Sequence, residues 1–219
     1  MAGILFIISA PSGSGKSTLV SQLRSMVEGL EFSISYTTRA PRGSEENGRE
    51  YHFTSREEFE RMIATGAFLE WAEVFGNYYG TALSALDHAR QAGKDLLLDI
   101  DVQGAQQVMK KLLGAVSIFV LPPSPQVLEM RLRNRSAAEK MTSEPVIQKR
   151  LAEARNELKQ VWDYKYALVN DVLEQAAAEM RSIVLFERCA RDGAEAIATS
   201  CRTDAASPKL RAVLSSFGG

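Results

Sequence analysis

The 219 residues are 45% apolar and 24% charged, with a formal net charge of -1. That balance excludes disordered, collagen-like and supercharged chains and favours one compact globular unit with insertions over two independent domains. A near-neutral chain lacks the excess of Lys and Arg that displaces counterions from nucleic-acid backbone, so no nucleic-acid partner is expected.

The chain opens on Ile4–Ile8, continuously apolar and largely β-branched, which predicts a central strand buried on both faces of a parallel sheet. No basic region precedes it, so it does not read as a signal peptide. No stretch approaches a membrane span, and a cytoplasmic protein without a membrane partner is expected. After a Gly/Ser turn, Leu19, Val20, Leu23, Val27 and Leu30 recur at helical spacing and predict an amphipathic helix closed near Gly29. From Phe32 to about Phe53, short alternating segments are broken by Ala40-Pro41-Arg42-Gly43 and Glu46-Asn47-Gly48, the punctuation of a small exposed sheet. Ser55-Arg56-Glu57-Glu58 is a capping box ahead of Phe59, Met62 and Ile63, and a further short helix follows Thr81 and ends near Gly93.

Core-type sequence returns at Leu96–Ile100, followed by a helix from about Gln103 to Leu113, the strand Val116–Leu121 and a helix opened by Ser124-Pro125. Alternating strands and helices imply a parallel sheet covered on both faces. The polar stretch from about Arg133 to Lys149 predicts a mobile flap before a helix carried by Ile147, Leu151, Ala154, Leu158 and Val161. Ala167–Val169 reads as a last core strand, and a helix from Leu173 leads into Ile183–Phe186. Cys189 and Cys201 have no metal-ligand or redox spacing and read as free thiols. After Asp192 periodicity is weak, and an appended, frayed tail is expected.

Between the first strand and the first helix lies Ala10-Pro11-Ser12-Gly13-Ser14-Gly15-Lys16-Ser17-Thr18, which matches a P-loop except for Ala10 at the first glycine position. Gly13 and Gly15 let backbone N–H groups converge on phosphate oxygens, and the helix N-terminus adds partial positive charge. Lys16 would reach the β- and γ-phosphates of ATP, and Ser17 would place its hydroxyl on the bridging Mg²⁺. The bland alternative, a turn with a solvated lysine, is disfavoured by the strand and helix that flank the motif. The loop alone does not choose among kinases, GTPases, motors and transporter ATPases. A second cluster, Ser35 to Arg42 followed by Asn47-Gly48-Arg49-Glu50-Tyr51, could chelate a second phosphate through two arginines and a tyrosine, or be a solvated basic loop.

Through these segments, together with Phe68-Leu69-Glu70-Trp71-Ala72, Gly76-Asn77-Tyr78-Tyr79-Gly80-Thr81 and Leu98-Asp99-Ile100-Asp101-Val102-Gln103-Gly104, the chain resembles the guanylate kinases from its first strand to about Phe186. The resemblance implies an α/β P-loop NTPase fold with a three-layer αβα core and parallel sheet, an inserted small α+β GMP-binding subdomain and a helical lid. The implied catalytic domain spans 1–190, with core 1–34 and 94–122, GMP-binding subdomain 35–93, lid about 123–155 and core 156–190, leaving 191–219 as an extension. It implies phosphorylation of GMP, and of dGMP, by ATP with Mg²⁺ in purine metabolism, the substrates being its small-molecule partners.

By position, the resemblance gives Arg39, Arg42, Tyr51 and Tyr79 to the GMP phosphate, Ser35, Glu70 and Thr81 to the guanine ring, and Arg131, Arg135 and Arg150 to the lid. Arg133 has no clear counterpart, and Ser136–Ser143 departs from the family's lid sequence. A carboxylate suits guanine because it accepts from N1–H and the N2 amino group together, whereas adenine presents no such pair. Glu70 beside Trp71 could also be a surface acid at a helix end. Asp99 and Asp101 are implicated in GMP or metal binding without their roles being separable, and Asp101 could simply cap the following helix. A kinase of sugar phosphates, a non-catalytic scaffold module, a signalling GTPase and an adenylate kinase each fit fewer of these segments.

Overall fold

The computed structural model describes residues 3–138, 142–189, 193–205 and 207–218. In chain order the elements are β1 (Leu5–Ser9), α1 (Lys16–Met26), β2 (Leu30–Phe32), β3 (Tyr36–Thr37), β4 (His52–Phe53), α2 (Arg56–Ala64), β5 (Phe68–Val74), β6 (Asn77–Ala82), α3 (Leu83–Gln91), β7 (Asp95–Asp99) and α4 (Val102–Lys111). There follow β8 (Val116–Leu121), α5 (Pro125–Ala138), α6 (Glu144–Leu158), a 3₁₀ turn (Lys159–Asp163), β9 (Tyr166–Val169), α7 (Leu173–Glu187), α8 (Ala194–Ser200) and α9 (Pro208–Ser216). Two compact units result, Met1–Ile7 with Gly29–Ala115 and Ile8–Glu28 with Val116–Gly219, and β1 runs through both.

The main sheet has the order β2-β7-β1-β8-β9, with β2 parallel to β7 and β8 parallel to β9. Burial on both faces explains the unbroken apolar runs: every residue of β1, β8 and β9 is buried, as are Leu96, Leu97 and Leu98 of β7. The strand order turns back on itself at β1, so the loop leaving its carboxyl end sits at a topological switch point, where open α/β sheets bind ligands. Among the described residues no helix is long and apolar enough to cross a membrane.

The first unit carries a second sheet, β4-β3-β6-β5. Its β5–β6 hairpin turns through Phe75 and Gly76 at φ 50° and 78°, and α2 starts as expected, with Ser55 Oγ accepting from the Glu58 N–H. Phe59 of α2 stacks on Phe68 and Tyr78 with ring centroids 4.4 and 5.2 Å apart, which seats the helix on the sheet.

Three expectations need correction. Leu30 does not extend α1: the helix ends at Met26, the chain reverses through Gly29 at φ 69°, and Leu30 enters the three-residue strand β2. A segment that short carries too little periodicity to be read. The flap expected over 133–149 is largely helical. Residues 133–138 continue α5 and 144–149 open α6, while 139–141 lie outside the described residues. Leu128 and Leu132 pack with Ile147, Leu151 and Ala154, while Arg133 bonds Glu129 and Glu144 at 2.8 Å. Those bonds raise the Arg133 pKa and hold the Glu144 carboxyl down at about 2.

The tail, expected to fray, instead folds back. After α8, the Ala167 N–H donates to Cys201 O at 2.8 Å, the Thr203 N–H donates to Lys165 O at 3.2 Å, and Tyr166 bridges Arg202. Residues 201–203 thereby cover the open edge of β9, which an edge strand needs. Ser207 Oγ caps α9 at the Leu210 N–H, Leu210 is 3% exposed, and Phe217 packs on the α5–α6 cluster. Leu210→Ala should therefore lower stability by about 2–5 kcal/mol in urea denaturation, while Leu113→Ala, at 92% exposed, should change it by less than about 0.5 kcal/mol. Equal midpoints for the two variants would mean that the tail is not part of the fold.

Candidate functional site

The loop from Ala10 to Gly15 joins β1 to α1 with Gly13 and Gly15 at φ 90° and 84°, where an L side chain is strained. Space excludes one as well: a Cβ on Gly15 would stand 2.5 Å from Asn170 Nδ2, and one on Gly13 would meet Leu128 and Leu132 at 3.1 Å. The Ser14 carbonyl accepts from Asn170 Nδ2 at 2.8 Å and from Arg131 Nη1 at 3.2 Å, and Arg131 Nη2 also donates to Asn170 O at 3.4 Å. One peptide plane of the loop is thus held by two donors.

Helix α1 receives no side-chain cap and has no acid in its first turn, whereas Ser55 caps α2 and Asp101 caps α4. Its first N–H groups therefore keep their capacity for an external anion. Ser9 Oγ and Ser14 Oγ are buried without a hydrogen-bond partner among the described residues. Lys16 is half-buried, and Ser17 and Thr18 are exposed on the opening turn. Ala10 is buried at 7% exposure. Among the described residues no group of three or more His, Cys, Asp or Glu could hold a metal ion, so a divalent cation would depend on nucleotide phosphates and a hydroxyl such as that of Ser17.

In the other unit, the turn-rich segment brings Arg39, Tyr51 and Tyr79 together. The Arg39 guanidinium stands 5.4 Å from the centroid of the Tyr51 ring, and the Tyr51 and Tyr79 centroids are 5.9 Å apart. Arg39 is buried at 8% exposure. It donates from Nη2 to both carboxylate oxygens of Glu45 at 2.9 Å, and Glu45 Oε2 also accepts from the Arg42 N–H at 2.8 Å. Burial opposes the Arg39 charge, but Glu45 and Tyr79 outweigh it and raise the pKa. Burial, with the nearby Asp99 and Tyr79, pushes the Tyr51 phenol up to about 12, so it remains an O–H donor. Arg42 is exposed, and Ser35 is half-buried beside β3 with its carbonyl accepting from His52 N–H at 2.9 Å. Sequence reading missed Glu45, whose place in an acidic turn looked like solvated charge.

Glu70 is not a helix-end surface acid. It lies in β5, 2% exposed, directly across from Thr81 in the β5–β6 register. Burial is the main reason its carboxyl is pushed up to about 7; Asp101 adds to the rise, and Thr81 and Lys111 oppose it. Thr81 is fully buried. On its other side the carboxylate rests against the bare Cα of Gly104, where a Cβ would come 2.3 Å from Oε2. Asp101 caps α4, its Oδ1 accepting from the Gln103 and Gly104 N–H groups at 2.7 and 3.0 Å. The structural role for Asp101 is therefore present, and the two aspartates have different neighbours: Asp99 ends β7 near Tyr51 and Asp101 starts α4 near Glu70.

The arginines of α5 and α6 have different surroundings. Arg131 reaches the phosphate loop, and Arg135 is exposed on α5. Arg150 is 5% exposed and donates to Ser136 Oγ at 3.0 Å, inside the helical pair.

A carboxyl with a pKa of about 7 folded and 4.5 unfolded contributes stability that is complete below pH 4.5 and lost as pH rises through 7. Glu70→Gln removes that loss. Urea denaturation should find the variant more stable than the parent by roughly 1–3 kcal/mol at pH 8, with the difference vanishing near pH 4.5. Parallel stability curves over that window would contradict the buried state of Glu70.

The sequence matches the guanylate kinase family profile over residues 3–187. It is 56% identical over 195 residues to a guanylate kinase of Koribacter versatilis, covering 89% of this chain and 83% of that protein. It is 52% identical over 182 residues to one of Neisseria gonorrhoeae, covering 83% and 87%. The crystal structure of guanylate kinase from Anaplasma phagocytophilum superposes with a TM-score of 0.70 at 33% identity, covering 88% of this chain and 89% of that one. The chain belongs to the guanylate kinase family.

Proposed function

We infer that the chain transfers the γ-phosphoryl group of ATP to GMP, forming ADP and GDP. The observation that carries this reading is Glu70, a buried carboxylate across from the Thr81 hydroxyl. Ionised, it offers two acceptors to the guanine N1–H and N2 amino donors, with Thr81 and Ser35 as further polar contacts for the ring. Opposite adenine it would be left desolvated without its donors, which costs more than a missing contact.

The GMP phosphate belongs, on this reading, to Arg39, Arg42, Tyr51 and Tyr79. The Arg39 Nη2 group that now donates to both Glu45 oxygens suits phosphate oxygens as well, and the Tyr51 O–H stays a donor at any working pH. Asp99 and Asp101 stand by the same nucleotide. ATP belongs to the loop Ala10–Thr18, with backbone N–H groups and Lys16 neutralising its phosphates. Mg²⁺, held by those phosphates and Ser17, supplies charge neutralisation when bound.

The attacking GMP oxygen is already anionic, so no general base is required, and rate comes from alignment and from cationic groups around the transferred phosphoryl. Arg131, Arg135 and Arg150 are the candidates for that charge, Arg131 through the phosphate loop it already braces. Water must be excluded, since it would otherwise accept the phosphoryl group. The catalytic domain spans 1–190 with its acceptor groups in 35–93, dGMP is a second acceptor because it carries the same base and phosphate, and the setting is purine nucleotide recycling in the cytoplasm.

In a coupled ADP-release assay, kcat/KM for GMP should exceed that for AMP, CMP and ribose 5-phosphate by at least about 100-fold. Lys16→Ala should reduce turnover by roughly 1,000-fold with an unchanged melting transition. Equal use of GMP and AMP would sink the reading. Because guanine needs the ionised carboxylate, KM for GMP should fall as pH rises through about 7, whereas KM for ATP should not follow that transition.

A further inference from the structure

Strand β5 lies at the edge of the four-stranded sheet, so the backbone groups on its outer side have no strand to bond. Helix α4 meets that need with side chains. Gln107 forms a two-point contact with Trp71, its Oε1 accepting from the Trp71 N–H at 3.4 Å and its Nε2 donating to the Trp71 carbonyl at 2.6 Å. Lys111 Nζ donates to the Leu69 carbonyl at 2.6 Å. The residue between these two anchored positions is Glu70. Its pairing with β6 is irregular there, with a register shift between Phe68 and Glu70, so the regular ladder does not by itself fix the strand at that point.

Gly104, Gln107 and Lys111 follow one another at three and four residues, hence along one stripe of the helix, while Val102, Ala105 and Val108 are buried. The stripe touches β5 at Glu70 through the glycine, at Trp71 through the amide and at Leu69 through the ammonium. The glycine sets the distance of approach, because any side chain there would occupy the place of the Glu70 carboxylate.

We propose that this stripe, and Gln107 in particular, positions the Glu70 carboxylate and so sets the base specificity of the acceptor site, Gln107 acting through the β5 backbone and touching no substrate itself. The proposal rests on the assignment of Glu70 to the guanine ring. It makes specificity a matter of how β5 is held against α4, and it gives a role to three residues outside the set that meets the nucleotide. Displacing the strand by part of an ångström would spoil two hydrogen bonds to guanine and leave the phosphate contacts of the same nucleotide intact.

The test is steady-state kinetics on the full chain with Gln107→Met, which keeps length and removes both hydrogen-bonding atoms. KM for GMP should rise about 10-fold and the GMP-over-AMP ratio of kcat/KM should fall by a similar factor, with KM for ATP within about twofold of the parent. In a Glu70→Gln background the same substitution should add almost nothing, which a merely structural role would not produce.

Gly104→Ala supplies a second route, because alanine favours the helix while its Cβ would displace Glu70; the same selective loss of GMP affinity is expected even if Gln107→Met fails to fold. Unchanged GMP kinetics in the foldable variants, or a rise in KM for ATP equal to that for GMP, would overturn the proposal. An unmutated chain that does not prefer GMP to AMP would instead overturn the assignment of Glu70 beneath it.

Discussion

The burial of one ionisable carboxylate constrains much of the first unit. Holding Glu70 at 2% exposure raises its pKa from 4.5 to about 7, equivalent to roughly 3 kcal/mol against the charged form. A protein core would ordinarily exclude such a group. It is kept in place by β5, by the absence of a side chain at Gly104 and by the anchors that α4 makes on either side. The field around it is mixed: Asp101 disfavours its charge and Lys111 favours it. A carboxylate poised in this way gains more from two well-placed donors than a solvated one would, since it has no water to give up for them.

The phosphate loop solves a different problem with different means. Its glycines occupy backbone conformations that other residues resist, and the space against Asn170, Leu128 and Leu132 leaves no room for larger ones. The two donors on the Ser14 carbonyl brace the loop from outside, while its own Ser14 N–H closes a turn on the Pro11 carbonyl at 3.1 Å. A helix N-terminus without a side-chain cap forgoes about 1 kcal/mol in the isolated fold, which an anion placed there can offset. Stability has been given up at both sites, by a buried charge in one and by an uncapped helix in the other.

Much of this was legible in the sequence. The P-loop, the buried core strands, the capping box at Ser55 and the helix after Ser124-Pro125 are local patterns, and local patterns survive into the fold. Glu70 was legible only through family resemblance, because its meaning lies in being buried, and burial depends on β6 and α4, which come from elsewhere in the chain. Glu45 escaped although its partners Arg39 and Arg42 are only six and three residues away, because an acid in a turn of mixed charge carries no pattern that says which cation it will hold. The tail was misread because three isolated buried residues, Ala198, Cys201 and Leu210, do not make a periodic pattern, and the backbone bonds of 201–203 that close the β9 edge leave no mark in the sequence. The α5–α6 region was misread because polar residues on the outer faces of two helices resemble a loop when the buried stripe is sparse.

The pairing of Arg39 with Glu45 explains how a buried guanidinium can be held in a segment with so little regular structure. A guanidinium at 8% exposure without an anion would suffer the full penalty of desolvation, and the segment from Arg39 to Tyr51 contains few regular hydrogen bonds to hold it there. The carboxylate of Glu45 removes that penalty with a bidentate contact and, through the Arg42 N–H, closes the turn between the two arginines. The guanidinium is thereby oriented close to the Tyr51 and Phe53 rings, at 5.4 and 5.8 Å from their centroids. With the Glu45 carboxylate on Nη2 and the Ala40 carbonyl on Nη1, the cation is satisfied within its own turn, and it is this local neutralisation rather than a strand ladder that holds the segment from Arg39 to Glu45 in shape.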